Sequence, residues 1–124
     1  MNDKTPPNSE FVPLTPAVFH ILLALSESEQ HGYRIMQTVF QNSNGQFHMG
    51  PGTLYGSIKR MINDDLIEES DERPDLEIDD ERRRYYRITE LGRKMFRLET
   101  ERLEGLVRKA KSINMEPNLK LESL

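Results

Sequence analysis

Thr53, Tyr55, Lys59 and Arg60 put two hydroxyls and two cations into one short stretch of chain. If that stretch is helical, Thr53, Gly56, Lys59, Arg60 and Asn63 share one side, with Tyr55 at its border. Lysine and arginine meet phosphate oxygens or guanine edges, and the small residues between them let a duplex come close. The chemistry on offer is recognition of a polyanion, with no bond made or broken. A second basic run, Arg82-Arg83-Arg84, lies further along. Either feature alone reads as a solvated surface; the two together ask which elements would aim them at one partner.

Caps and periodicity give those elements. Thr15-Pro16 is a capping hydroxyl followed by a proline suited to the first helical turn. Val18, Phe19, Ile21, Leu22, Leu23 and Leu25 then make a helix, to about residue 26, that is apolar nearly all round and so buried on several sides. His20 lies within it as a packing residue. A second helix is predicted over 32–41, with Tyr33, Ile35, Met36, Val39 and Phe40 apolar. His31 marks its start, and Asn42-Ser43-Asn44-Gly45 stops it by turn chemistry. Gln46-Phe47-His48-Met49 is long enough only for a bridging strand. Gly50-Pro51 opens the third helix, whose Leu54, Ile58, Met61 and Ile62 form a core-facing stripe and which ends near Asp64-Asp65. Leu66-Ile67-Glu68-Glu69 and Arg84-Tyr85-Tyr86-Arg87-Ile88 read as two strands. In the second, Tyr86 and Ile88 share one face and Tyr85 and Arg87 the other. Thr89 caps a last helix, to about residue 113, whose apolar positions cover about half its circumference. That arc is wider than packing on one small domain requires.

The chain has 124 residues, 35% hydrophobic and 31% charged, with net charge −4 and no cysteine. This suffices for one domain with a modest core and a protruding helix. The missing thiols exclude disulfides, thiolate metal sites and a cysteine nucleophile, and they fit a cytoplasmic location. No apolar run reaches the ~20 residues of a membrane span, so no membrane partner is expected. The acidic balance counts against nucleic acid only if charge is averaged. Acid is concentrated over 64–81 and base in Arg82, Arg83, Arg84, Arg87, Arg93 and Lys94, so one face can be basic. Asp75, Glu77 and Asp79 alternate as in a calcium loop. However, Asp80 stands where that loop needs glycine and Tyr86 where it needs glutamate, so no metal is expected, nor any other cofactor. Nor is an enzyme: there is no glycine-rich phosphate loop, no histidine pair at ligand spacing and no nucleophile–base pattern.

Helix, helix, helix, strand, strand, helix is the plan of a winged helix-turn-helix domain. The fold class is mainly α with a small β-hairpin, extended by a long C-terminal dimerisation helix. In that plan the third helix enters a major groove and the hairpin, the wing, brings arginines to phosphate. The expected boundaries are a disordered arm 1–11, a winged DNA-binding domain 12–89, a dimerisation helix 90–114 and a frayed tail 115–124.

The segments Leu14-Thr15-Pro16, His31-Gly32-Tyr33, Gly50-Pro51-Gly52-Thr53-Leu54-Tyr55, Asp65-Leu66-Ile67-Glu68 and Arg84-Tyr85-Tyr86-Arg87-Ile88-Thr89-Glu90-Leu91-Gly92 carry a further signal. Over 14–92 the chain resembles the PadR family of bacterial transcriptional regulators. With one long helix after the wing, it resembles the short subclass. The resemblance implies a homodimer that binds double-stranded operator DNA and represses promoters, often including its own. It also implies that some members release DNA on binding a phenolic acid, drug or other small molecule. Thr53, Tyr55 and Lys59 match the family's recognition helix, with Arg60 a phosphate candidate, and Arg83 and Arg84 match its basic wing. Tyr33 matches the His-Gly-Tyr motif, and either bonds a phosphate through its hydroxyl or packs in the core. Tyr86 reads as a packing residue. Gly50 and Gly52 are expected to permit a tight helix start and backbone approach to DNA.

Leu103, Leu106, Val107, Ala110 and Ile113 would pack on a second copy, setting two recognition helices about one DNA turn apart on a near-palindromic site. A small aromatic effector would lie between the long helix and the first, near Phe19, Met95, Phe96 and Leu103, residues that equally suit plain core packing. The acidic loop would repel phosphate. It keeps a rival open: a winged helix used for protein–protein contact without specific DNA binding. An RNA-binding domain is a weaker third choice, because no four-stranded sheet carries aromatic residues.

Overall fold

The computed structural model describes residues 13–70 and 84–114. Helix α1 (Pro16–Glu27) begins where Thr15 Oγ1 accepts from the Val18 amide at 3.2 Å and Pro16 takes the first turn. It buries Val18, Ile21, Leu22, Ala24 and Leu25 at the centre of the molecule. Two more helices, α2 (Gly32–Asn42) and α3 (Pro51–Asn63), pack on it. Inside α2 lie Ile35, Thr38 and Val39; inside α3 lie Leu54, Ser57, Ile58 and Met61.

Both helices stop in the same way. After α2 the Asn44 amide donates to Gln41 and the Gly45 amide to Phe40, with Asn44 and Gly45 at φ 54° and 79°. After α3 the Asp65 amide donates to Ile62 and the Leu66 amide to Met61, with Asp65 at φ 62°. These are left-handed caps that satisfy carbonyls the helix itself leaves bare. The second cap also puts Leu66 into the core beside Met61.

Among the described residues the sheet has three antiparallel strands. They are β1 (Gln30–His31), β2 (Ile67–Ser70) and β3 (Tyr85–Ile88), in the order β1-β3-β2. Ile67 faces Ile88, Glu68 faces Arg87, and Gln30 and Glu69 both face Tyr86. The bridging strand expected at Gln46-Phe47-His48-Met49 does not form, and β1 supplies the third strand. The reason is Gln30, a buried amide whose Nε2 donates to Ala24 O and whose Oε1 accepts from Thr38 Oγ1, each at 3.0 Å. Those two bonds hold the α1–α2 connection extended, in reach of β3. His31 ends the strand and caps α2, its Nδ1 accepting from the Arg34 amide at 3.2 Å. Tyr85 is buried as well as Tyr86, because the His31 ring covers it edge-on, with centroids 5.3 Å apart.

The last helix, α4 (Glu90–Asn114), has 25 residues. Thr89 caps it, accepting from the Gly92 amide at 2.9 Å, while its hydroxyl reaches Asp65 O at 2.6 Å. Gly92 leaves no space for a side chain: a Cβ there would overlap the Leu66 carbonyl and come 2.8 Å from Ile88 Cγ1. Among the described residues α4 buries only Gly92 and Glu99. Among the described residues no helix is long and apolar enough to cross a membrane.

Candidate nucleic-acid interface

Thr53, Tyr55, Gly56, Lys59, Arg60 and Asn63 are all exposed on α3, opposite its buried stripe. The same period that buries Leu54, Ile58 and Met61 forces them outward. Lys59 and Arg60 have no acidic partner among the described residues, so their charge is available to an outside anion. Gly52 and Gly56 stand in open space, where a Cβ would meet nothing within 4 Å. Gly50 does too, at an ordinary φ of −79°. The tight start expected of Gly50 and Gly52 is therefore not something the chain's own packing demands. Glycine inside a helix costs about 1 kcal/mol relative to alanine, and here the fold gains nothing in return.

Tyr55 has a neighbour. Its ring end lies over Gly32 at the start of α2, where a Cβ would sit 2.8 Å from Cζ and 2.9 Å from Cε1 and would overlap the hydroxyl oxygen. Gly32 thus lets the exposed face of α3 close on the first turn of α2. Next to Gly32, Tyr33 is 57% exposed, which removes the core alternative. The structure brings Tyr33, Tyr55 and the α3 cations onto neighbouring surfaces.

The wing contributes less bare charge than its sequence suggests. Arg84 Nη1 lies 3.2 Å from Glu69 Oε1, and Arg87 Nε lies 2.8 Å from Glu68 Oε2. Arg87 also approaches Glu29 at 3.8 Å, and Ser70 donates to the same carboxylate at 2.6 Å. These contacts tie the wing root to the α1–β1 connection. Exposed pairs of this kind are worth only about 0–1 kcal/mol, so a phosphate can take over Arg84. Tyr86 is buried, and burial first, then nearby Glu69 and Tyr55, raise its pKa against a smaller opposing pull from Arg84. It packs the wing and stays protonated. Arg83, Arg82 and the acidic stretch 71–81 lie outside the described residues, as do the arm 1–11 and the tail 115–124.

The four effector-pocket residues lie on α1 and α4, which pack together. The rings of Phe19 and Phe96 meet at a tilt of 35°, with centroids 5.1 Å apart, and Leu103 is half-buried further along α4. Met95 borders a cavity of about 350 Å³ with Leu14, Val18, Met61 and Leu91. Of the dimer candidates, Leu106, Val107 and Ile113 are 56%, 52% and 47% exposed, and Ala110 is exposed too. His20 packs by stacking on Phe47 at 4.3 Å; its Nδ1 has no partner among the described residues, and burial lowers its pKa.

Sequence reasoning passed over Glu99. Only 2% exposed, it takes two bonds from Arg102, Nε to Oε1 at 2.8 Å and Nη2 to Oε2 at 2.7 Å. The Arg102 bonds hold its carboxyl below the usual range against the opposing cost of burial, with help from the Leu14 backbone. The signal was in the pattern: Glu99 follows Met95 and Phe96 by four and three residues and precedes Leu103 by four, so it lies on the apolar stripe.

The family model of the "Transcriptional regulator PadR-like family" matches residues 21–98. A protein of Lysinibacillus sphaericus without assigned function is 34% identical over 73 residues, 59% of this chain and 64% of that one. The chain thus spans just under two thirds of that relative's length. A transcriptional regulator from Clostridium thermocellum superposes with a TM-score of 0.64 at 25% identity, covering 81% of this chain and 90% of that one. A PadR family transcription regulator from hypervirulent Clostridium difficile superposes at 0.66 with 21% identity, over 80% of this chain and 98% of that one. A winged helix with these motifs, matched over most of its length, makes this chain a member of the PadR-like family of transcriptional regulators.

Proposed function

We propose that the chain is a sequence-specific repressor that binds a near-palindromic operator as a homodimer and releases it on meeting a small-molecule effector. The observation that carries this is the outer face of α3. Thr53, Tyr55, Lys59 and Arg60 are exposed there beside glycines that the fold does not need. Such a face suits a major groove, where Lys59 would reach a guanine edge or phosphate and Thr53 and Tyr55 would fix register. Tyr33 extends the contact onto α2, and Arg84 would exchange Glu69 for phosphate. The bare stripe Leu106, Val107, Ala110 and Ile113 supports dimerisation through α4, with Leu103 at its inner edge. Effector binding near Phe19, Met95, Phe96 and Leu103 would then act where α1 meets α4.

One observation favours the rival protein-interaction reading: the described wing arginines are already paired with Glu68 and Glu69. Fluorescence anisotropy separates the two. The protein is titrated with duplex from its own upstream region and with a shuffled duplex, at two salt concentrations. The repressor reading expects tight, steeply salt-dependent binding to the first alone, and about a tenfold loss in Lys59→Ala. Equal weak binding to both duplexes, unaltered in Lys59→Ala, would favour the rival.

A further inference from the structure

The outward side of α2 is not the polar surface that a solvated helix shows. Tyr33, Met36 and Phe40 recur there at spacings of three and four, so consecutive turns set them in one stripe. Phe40 is 48% exposed. Beyond the left-handed turn at Asn44 and Gly45 the chain doubles back, and His48 and Met49 close over the stripe. The His48 ring meets Phe40 edge-on, with centroids 6.1 Å apart and planes at 90°. The result is a hollow of about 390 Å³. That lies within the range of roughly 300–1,000 Å³ in which proteins hold small molecules. Gln37 and Gln41, one turn apart, add amides to its lining, and Tyr33 adds a phenol.

We propose that this hollow binds a small, flat aromatic molecule with one or two hydrogen-bonding groups, and that its occupancy weakens DNA binding. Aromatic rings and two thioethers attract flat, polarisable faces, and the amides and phenol give polar substituents their partners. Size decides against a docked helix. The lining runs along α2 from Tyr33 to Gln41, about 12 Å at 1.5 Å per residue, which is one or two fused rings rather than three helical turns. The coupling to DNA passes through Tyr33, which belongs to both the hollow and the nucleic-acid face. This coupling rests on the reading under Proposed function; the binding itself does not. The hollow is separate from the cavity bordered by Met95, so it is a second place for a ligand.

The methionines make the test direct. Met36 and Met49 line this hollow, and Met61 and Met95 border the other cavity. The full chain, carbon-13-labelled at its methionine methyls, is titrated with indole. Saturable ring-current shifts are expected at Met36 and Met49, with affinity at least roughly tenfold weaker in Phe40→Ala, a half-exposed position whose truncation should leave the buried Met61 signal in place. Shifts confined to Met61 and Met95, or none at millimolar indole, would overturn the site. In anisotropy, saturating indole should weaken DNA binding roughly fivefold or more. Unaltered affinity for a duplex the protein does bind would overturn the coupling and leave the site. Failure to bind any duplex would overturn the coupling together with the DNA reading, while the methyl shifts would still stand for the hollow.

Discussion

Gly32→Ala and Gly92→Ala add the same methyl group at two helix starts, and they are expected to fail in opposite ways. At Gly32 the new Cβ meets the ring end of Tyr55, 2.8 Å from Cζ, on a side chain that is 48% exposed. A half-exposed ring can rotate away into water. The stability cost should stay below about 1 kcal/mol, because alanine also favours the helix over glycine by up to that amount. What changes is the place of the Tyr55 hydroxyl. DNA affinity should fall about tenfold, or about 1.4 kcal/mol, near the low end of a specific contact. At Gly92 the obstacle is the Leu66 carbonyl, which accepts a hydrogen bond from the Thr89 amide at 3.1 Å. Backbone cannot swing aside, so overpacking should cost about 1–3 kcal/mol of stability. Affinity per folded molecule should be little altered. Urea unfolding reads the first quantity and anisotropy the second. A cycle with Tyr55→Ala sharpens the comparison: the double variant should bind no worse than either single one. If the losses of Gly32→Ala and Tyr55→Ala simply add, within about 0.5 kcal/mol, the two residues act independently and the reasoning is refuted.

Replacing Leu106 and Val107 by glutamate should halve the mass seen by light scattering while circular dichroism loses only the signal of the distal turns of α4, since neither side chain is buried within its own chain; a wild type already monomeric at micromolar concentration would defeat the dimer. Arg83→Ala with Arg84→Ala should weaken binding to all duplexes alike and flatten the salt slope by about 0.9 for each phosphate no longer neutralised. An unaltered slope would count against wing–phosphate contact. Stability should fall with acid in two windows. His20 has a lowered pKa in the fold, so the unfolded chain takes up its proton first and stability drops as pH falls below about 6.5. Glu99 is lowered too, so its contribution is complete above about 4.3 and is lost as pH falls through its folded value. The urea midpoint of Glu99→Gln should therefore lie below wild type at pH 7 and converge on it by pH 3; a gap independent of pH would remove Glu99 from the lower window.

Caps and period made most of the fold legible. Thr15, Thr89 and the Asn-Ser-Asn-Gly turn act locally, through bonds spanning three to five residues, and a sequence displays such bonds directly. The exposed face of α3 was legible because burying Leu54, Ile58 and Met61 leaves Lys59 and Thr53 nowhere else to go. Strand β1 was not. Two residues carry no period, and what extends them is a buried glutamine whose partners, Ala24 and Thr38, lie six and eight residues away. The seat of Tyr55 was hidden for the same reason: His31-Gly32-Tyr33 is visible as a motif, but the ring that needs Gly32 belongs to another helix. The partner of Arg84 was hidden too, since a run of arginines looks bare until β2 brings Glu69 across from it.

Glu99 divides α4 into two parts with different obligations. Before it, Gly92, Met95 and Phe96 pack on Leu66, Ile88 and Phe19, so that half belongs to the chain's own core. At it, a buried carboxylate answered by Arg102 holds the helix to the backbone of Leu14. Beyond it, Leu106, Val107, Ala110 and Ile113 touch no core, yet the helix continues for another fifteen residues to Asn114. An isolated helix of that length is marginal in water even with good formers. The apolar stripe would cost solubility and return nothing if it stayed wet. A second copy crossing there would bury the stripe and stabilise the distal half. The proposed dimer and the length of α4 therefore share one cause, and the Leu106 and Val107 substitutions test both, because distal fraying should accompany the loss of mass.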